Sequence, residues 1–208
     1  MTAPAHIFKT ARRQLRKIRH RGAKTEKEQQ LLASADQQRK DGLGWRYDGF
    51  SGYSDEQLFE ALRRVSLDYD APRFIAEARE AGSPTALSAR WASRSTGEGK
   101  WRDLPMLAAR ELWRRLLPNV RTPEVVADEV DELIEQAEVS DEKPALWLKA
   151  AQRLIASCVD GEADVEFFRL VARESGTDLV GWMQEAPSAL MDTPHQAEAP
   201  ELCRRFAM

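Results

Sequence analysis

The chain has 208 residues, 42% apolar and 31% charged, with a net charge of −3. That is enough apolar material for a real core, and the charged fraction points to a solvated surface. No stretch approaches 18 uninterrupted apolar residues, so no membrane span is expected. The two cysteines, Cys158 and Cys203, form no motif; their sparse use points to a reducing, cytoplasmic compartment, with Cys158 a buried thiol on an apolar helix face.

The near-neutral total hides a strong polarity. Residues 1–48 hold 12 Lys/Arg and 5 Asp/Glu, a net +7; residues 49–120 are nearly balanced at +1; residues 121–208 hold 8 and 19, a net −11. A chain polarised in this way can meet an anionic surface with one end, or pair its own ends within a molecule or between two copies.

Residues 1–24 contain no acid. Ile7, Ala11, Leu15 and Ile18 make a narrow apolar line at helical spacing, interrupted near Gly22, and the surrounding residues are basic. Arg12, Arg13, Arg16, Lys17, Arg19, Arg21 and Lys24 are the candidate contacts for a nucleic-acid backbone or an acidic partner. Phosphate neutralisation needs density of Lys and Arg more than a motif. The segment lacks the continuous apolar run of a secretory signal.

Thr25 followed by Glu28 has the capping-box form and predicts a helix to about Lys40, ended by Gly42. Trp45, Tyr47, Phe50 and Tyr53 then sit among four glycines. This stretch reads as a loop whose rings pack on the helical body and clamp the arm. Its functional reading makes Trp45, Tyr47 and Phe50 candidate stacking or partner-contact rings. A second capping box, Ser54 with Gln57, opens a helix carrying Leu58, Leu62 and Val65. Asp70 with Pro72 and Ser83 with Pro84 start two more, the first closed by Gly82.

Residues 103–158 read as the stable centre. Three helices open at Asp103-Leu104-Pro105, Thr122-Pro123-Glu124 and near Ser140 to Pro144, each with a capping residue before a first-turn proline. The middle one buries Val126, Val130, Leu133, Ile134 and Ala137. Its other face carries Asp128, Glu129, Asp131, Glu132 and Glu135 and reads as solvated. Asp160-Gly161 breaks the chain. A helix with Phe167, Phe168 and Val171 follows, ending at Gly176, and then a short one with Leu179 and Trp182. From Pro187 onward the chain reads as a largely irregular tail.

The expected fold is all-α, an irregular helical bundle or a short solenoid-like array of antiparallel helices, seven to nine in number. The expected organisation is a basic helical arm at 1–48, a helical domain at 49–186 and the tail at 187–208. Helix starts spaced by about 19–20 residues suggest hairpin repeats, but no repeated sequence accompanies them.

No catalytic constellation is legible. His6, His20 and His195 are scattered, His195 and Cys203 lack further ligands, and no phosphate-loop or dinucleotide motif occurs. No cofactor and no metal are expected. The sequence therefore reads as a non-enzymatic adaptor or scaffold that binds a protein partner. The alternative is a DNA- or RNA-binding protein using the basic arm; self-association of the arm with the acidic half is a third expectation. A positive stripe joining the arm to Arg63, Arg64, Arg114 and Arg115 would favour nucleic acid.

Overall fold

The computed structural model describes residues 4–50, 52–157 and 165–206, and the backbone alone for 4–8 and 10. Cys158, Asp160 and Gly161 lie outside the described residues, as does the side chain of Ile7. The chain divides into two compact units, Met1–Thr122 and Pro123–Met208. Both are irregular helical bundles, and no strand occurs among the described residues.

Unit 1 comprises α1 (Pro4–Arg21), α2 (Glu26–Lys40), α3 (Trp45–Asp48), α4 (Asp55–Arg63), α5 (Ala71–Ala81), α6 (Pro84–Ala92) and α7 (Leu104–Leu116), with a 3₁₀ turn at Gly99–Trp101 before α7. The helix starts follow the caps at α4, α5 and α6, whereas Asp103 before α7 and the Ser140–Glu142 stretch before Lys143 give their helices no side-chain capping bond and leave the first-turn proline as the start signal. Ser54 accepts from the Gln57 N–H while the Gln57 side chain accepts from the Ser54 N–H, a complete capping box. Asp70 and Ser83 accept from the N–H groups of Arg73 and Ala86, each ahead of a first-turn proline. Gly82 ends α5 at φ 76°, a left-handed conformation in which a side chain would be strained.

α7 is the hub of this unit and packs on α6, α4 and α5. Leu58, Leu62, Phe74, Leu87, Trp91, Leu104, Leu112 and Trp113 are fully buried. Each such side chain contributes about 1.5–3 kcal/mol. Tyr69 and Phe74 pack on the Trp91 ring with centroids 4.8 and 6.1 Å away. Trp113 is held by its Nε1–H, which donates to the Val120 carbonyl at 3.1 Å.

The basic N-terminal segment is part of this fold. α1 packs on α3 and α2, and buries Leu15 and Ile18, the inner half of the line read from the sequence. The Gly- and aromatic-rich stretch expected as a loop contains α3, a single turn set between Gly44 and Gly49. Gly49 has φ 68°, a left-handed conformation that favours glycine, and it lies beside the Arg12 guanidinium of α1, 3.1 Å from where a Cβ would stand.

Unit 2 comprises α8 (Pro123–Ala137), α9 (Lys143–Ile155), α10 (Val165–Glu174), α11 (Leu179–Leu190) and α12 (Ala199–Phe206), with a 3₁₀ turn at Gln196–Glu198. α8 packs on both α9 and α10, and α11 packs on α9 and α12. One cluster runs through Val126, Val130, Ile134, Ala150, Ala151, Leu154, Val171, Leu179, Trp182, Leu190 and Leu202.

Three expectations change here. The described residues hold twelve α-helices, more than seven to nine, because short helices form where loops were read. The segment from 187 onward is not largely irregular: α11 continues through a buried Pro187 to Leu190, and α12 buries Ala199 and Leu202. A proline interrupts one backbone bond, yet burial of Leu190 and Pro187 itself offsets that cost. The acidic face of α8 is not a solvated face. Asp131 and Glu135 are 1% and 3% exposed, and Asp128, Glu129 and Glu132 are half-buried. Asp131 Oδ1 accepts from the Ser175 hydroxyl at 2.5 Å and Oδ2 from the Gly176 N–H at 2.8 Å, fastening the end of α10 to α8. Glu129 pairs with Arg153 of α9.

Candidate functional site

The basic residues of α1 lie on a helix whose apolar line faces α2 and α3, and this brings several of them to carboxylates. Arg19 Nη1 donates to Asp48 Oδ1 at 3.2 Å and its Nη2 lies 3.8 Å from Asp36. Arg39 of α2 forks onto the same Asp48 and also reaches Asp36 at 2.7 Å. Arg21 pairs with Glu28 at 2.5 Å, and Glu28 also accepts from the Lys24 N–H at 2.7 Å. Arg12, Arg13 and Arg16 are half-buried, whereas Lys17 and Lys24 are exposed.

The carboxylates record this in their acidity. The hydrogen bond from Arg21, aided by the Lys24 N–H, brings Glu28 down to about 2. Asp48 is lowered by the Arg39 hydrogen bond, with burial opposing and Arg19 assisting. Both stay ionised through the neutral range, and their role is to fix α1 and its turn into α2.

The candidate rings are placed differently from one another. Trp45 and Phe50 are buried, 2% and 5% exposed, and stack at 6.0 Å with 9° between planes. Trp101 leans on Trp45 at 6.2 Å, and Tyr53 meets Phe50 edge-on at 5.5 Å. Tyr47 is half-buried and its hydroxyl accepts from Gln38 Nε2 at 3.0 Å. A base cannot stack on a ring whose faces are already covered, so Trp45 and Phe50 are core groups here. α3 packs on α1 and is linked to it through the Arg19–Asp48 pair, while the ring contacts of Trp45 and Phe50 are with each other and with Trp101 and Tyr53.

The four arginines that could extend a positive stripe each meet an acid: Arg63 meets Asp68 at 3.3 Å, Arg64 meets Glu60 at 3.6 Å, and Arg114 meets Glu111 at 2.9 Å. Arg115 does most. It pairs with Glu111 at 2.7 Å and Asp55 at 3.0 Å, and donates to the carbonyls of Tyr53 at 2.7 Å and Phe50 at 2.8 Å. One guanidinium thus ties the aromatic stretch and the start of α4 to α7, a use its planar fork suits.

A second cluster was not anticipated from the sequence. The Tyr69 hydroxyl and Arg94 both donate to Glu77, and the Arg73 guanidinium lies 4.8 Å from the Tyr69 ring centroid. Burial raises the Tyr69 hydroxyl and Glu77 raises it further. Burial also opposes ionisation of Glu77, but the hydrogen bonds from Tyr69 and Arg94 outweigh it and leave that carboxyl lowered. A general acid at neutral pH needs the reverse, a carboxyl raised in an apolar cleft. Glu77, like Glu28 and Asp48, is a held anion.

His20 is exposed, and the side chain of His6 lies outside the described residues. His195 sits in the turn before α12, where its N–H donates to Thr193 Oγ1 at 3.1 Å, and Cys203 is a free, exposed thiol. Among the described residues no group of three or more His, Cys, Asp or Glu is placed to hold a metal ion. No described helix is long and apolar enough to cross a membrane. No protein family matches the chain, and neither a curated protein nor a solved structure does.

Proposed function

We propose that this chain is a non-enzymatic helical adaptor that binds a protein partner through unit 2. The supporting observation is where apolar side chains remain in solvent. Val165 at the start of α10, Val180 of α11 and Met191 just beyond α11 are 50%, 53% and 55% exposed, whereas unit 1 leaves Val120 at 40%. Val180 and Met191 are eleven residues apart, about three helical turns, with Met191 the residue that ends α11, and the exposed polar Gln184 and Ser188 lie between them on that face. Two exposed apolar side chains about 16 Å apart with polar groups between them suit a partner helix or extended segment that anchors at both ends.

The nucleic-acid alternative draws less support. Arg19 and Arg21 are directed at Asp48, Asp36 and Glu28, and Trp45 and Phe50 are internal.

The test uses the full chain as bait in quantitative affinity capture, comparing wild type with a V180D and M191D double variant of equal helicity. A discrete set of proteins lost at least tenfold from the variant supports the reading, and identical captured sets overturn it. Binding to labelled single- and double-stranded nucleic acid, measured in parallel across a salt series, would move the function to nucleic acid if it were tight and steeply salt-dependent.

A further inference from the structure

The sequence is polarised a second time near its end. Residues 174–203 contain no Lys or Arg, yet carry Glu174, Asp178, Glu185, Asp192, Glu198 and Glu201. The middle of this stretch is α11. It buries Leu179, Trp182, Ala186 and Leu190, packs on α9 and α12, and leaves its other side in solvent.

That uncovered side has two margins. Val180 stands on one, and Met191 ends the helix about three turns further on. Asp178 and Glu185, both exposed, stand on the other, seven residues apart, and the exposed Asp192 continues that spacing just past the helix end. Seven residues is close to two turns, about 10 Å, so Asp178 and Glu185 share one side of α11. Between the margins lie Gln184 and the small residues Gly181 and Ser188. Small side chains at a contact let a second helix approach to about 8 Å between axes, the near end of the packing range.

The acids of this face are uncompensated. Asp178 Oδ1 accepts from the Gly181 N–H at 3.1 Å, and among the described residues Asp178, Glu185 and Asp192 form no ion pair. The cations on the elements packed against α11 are directed elsewhere. Arg153 of α9 pairs with Glu129, Arg204 and Arg205 of α12 pair with Glu201, the Lys143 ammonium lies 4.4 Å from the Trp147 ring centroid, and Lys149 forms no ion pair. Glu28, Asp48 and Glu111, by contrast, are each held by an arginine of their own unit. A face with free carboxylates and no cation repels phosphate backbones and anionic lipid and draws in a basic partner.

We propose that the uncovered face of α11 docks a basic amphipathic helix of a partner protein. Its apolar stripe meets Val180 and Met191, and Lys or Arg recurring every seventh residue beside that stripe meets Asp178, Glu185 and Asp192, as flanking charges do along paired helices. This rests on the adaptor reading and names the partner's chemistry.

The test uses the full chain, isotope-labelled for NMR, and two synthetic helices of three heptads. Both carry a leucine stripe; beside it one has lysine at every seventh residue and the other glutamate. The lysine helix should move the backbone amide signals of residues 178–192 and bind at least tenfold more tightly than the glutamate helix at low salt, with the difference shrinking as salt is added. Glu185 is exposed and has no side-chain bond to lose, so Glu185→Lys should keep the helicity of the wild type. It should weaken the lysine helix at least fivefold and strengthen the glutamate helix, and Glu185→Gln should fall between. Equal affinity of the wild type and Glu185→Lys for the lysine helix, signals that move only outside α11, or no binding by either helix would overturn the proposal. A wild-type chain that is a dimer by light scattering and a monomer as Glu185→Lys would overturn it in favour of a second copy as the occupant. Partners captured by the wild type and lost from the Val180→Asp and Met191→Asp variant, with neither synthetic helix binding, would leave the adaptor reading in place and overturn the basic helix as its occupant.

Discussion

Replacing Arg115 with alanine should loosen the aromatic stretch and the start of α4 without unfolding the rest of unit 1. The side chain makes two hydrogen bonds to backbone carbonyls, of Phe50 and Tyr53, and two contacts with carboxylates, of Asp55 and Glu111, while 23% exposed. The carboxylate contacts are partly solvated and add at most about 1 kcal/mol together. Each carbonyl bond to a charged donor adds about 1.5 kcal/mol, the low end for a charged group because the side chain is partly solvated. The sum is about 3–4 kcal/mol, or about 100- to 1000-fold in the local opening constant. Hydrogen exchange read by mass spectrometry on peptides covering residues 43–58 measures that constant directly. Arg115→Lys keeps the charge but cannot fork, so it should recover less than half of the lost protection. Protection within threefold of wild type in the alanine variant would refute the clamp. A loss of nucleic-acid affinity with unchanged exchange would show that Arg115 faces outward in solution.

Trp91→Ala should cost about 3–5 kcal/mol, because the ring is wholly buried against Tyr69 and Phe74; urea denaturation followed by circular dichroism reads this as an early transition of unit 1. The Glu28 carboxyl should titrate near 2 by NMR and return toward the ordinary range in Arg21→Ala. Its folded value lies below its unfolded one, so its contribution is full above the usual carboxylate range and is lost as pH falls toward 2. Tyr69 is shifted the other way: its raised hydroxyl contributes fully below the ordinary tyrosine range and loses that contribution as pH rises beyond it. Phenolate absorbance should therefore show one tyrosine ionising late, and Tyr69→Phe should abolish that component.

The all-α fold was legible because its signals are local. Ser54, Asp70 and Ser83 cap within three residues of themselves, and Gly82 acts on the turn it terminates. The N-terminal apolar line was legible for the same reason, and Leu15 and Ile18 are buried as that line requires. The acidic face of α8 was misread because a periodicity pattern sees one helix. With α9 and α10 both packed on α8, more than one side is covered, and Asp131 becomes a buried acceptor for Ser175 and Gly176 just after α10. α12 was missed although Ala199-Pro200-Glu201 carries the same first-turn proline that marked other starts; the few apolar residues after it outweighed that signal. The candidate basic contacts were legible as charges but not as commitments. Arg19 meets Asp48 across 29 residues and Arg115 meets the Phe50 carbonyl across 65, and no sequence pattern encodes such partners.

The boundary between Thr122 and Pro123 also sets an order in time. A chain emerges from its N-terminus, and compact units fold as they are completed. Arg19, Arg21 and Arg39 find Asp48, Asp36 and Glu28 within residues 1–48, so the most cationic part of the protein needs nothing from unit 2 to acquire its carboxylates. At about 5–20 residues per second, unit 2 takes on the order of 4–17 s to follow. A chain whose unit 1 folds before unit 2 is complete would carry, in that interval, an arm already neutralised in part by its own acids.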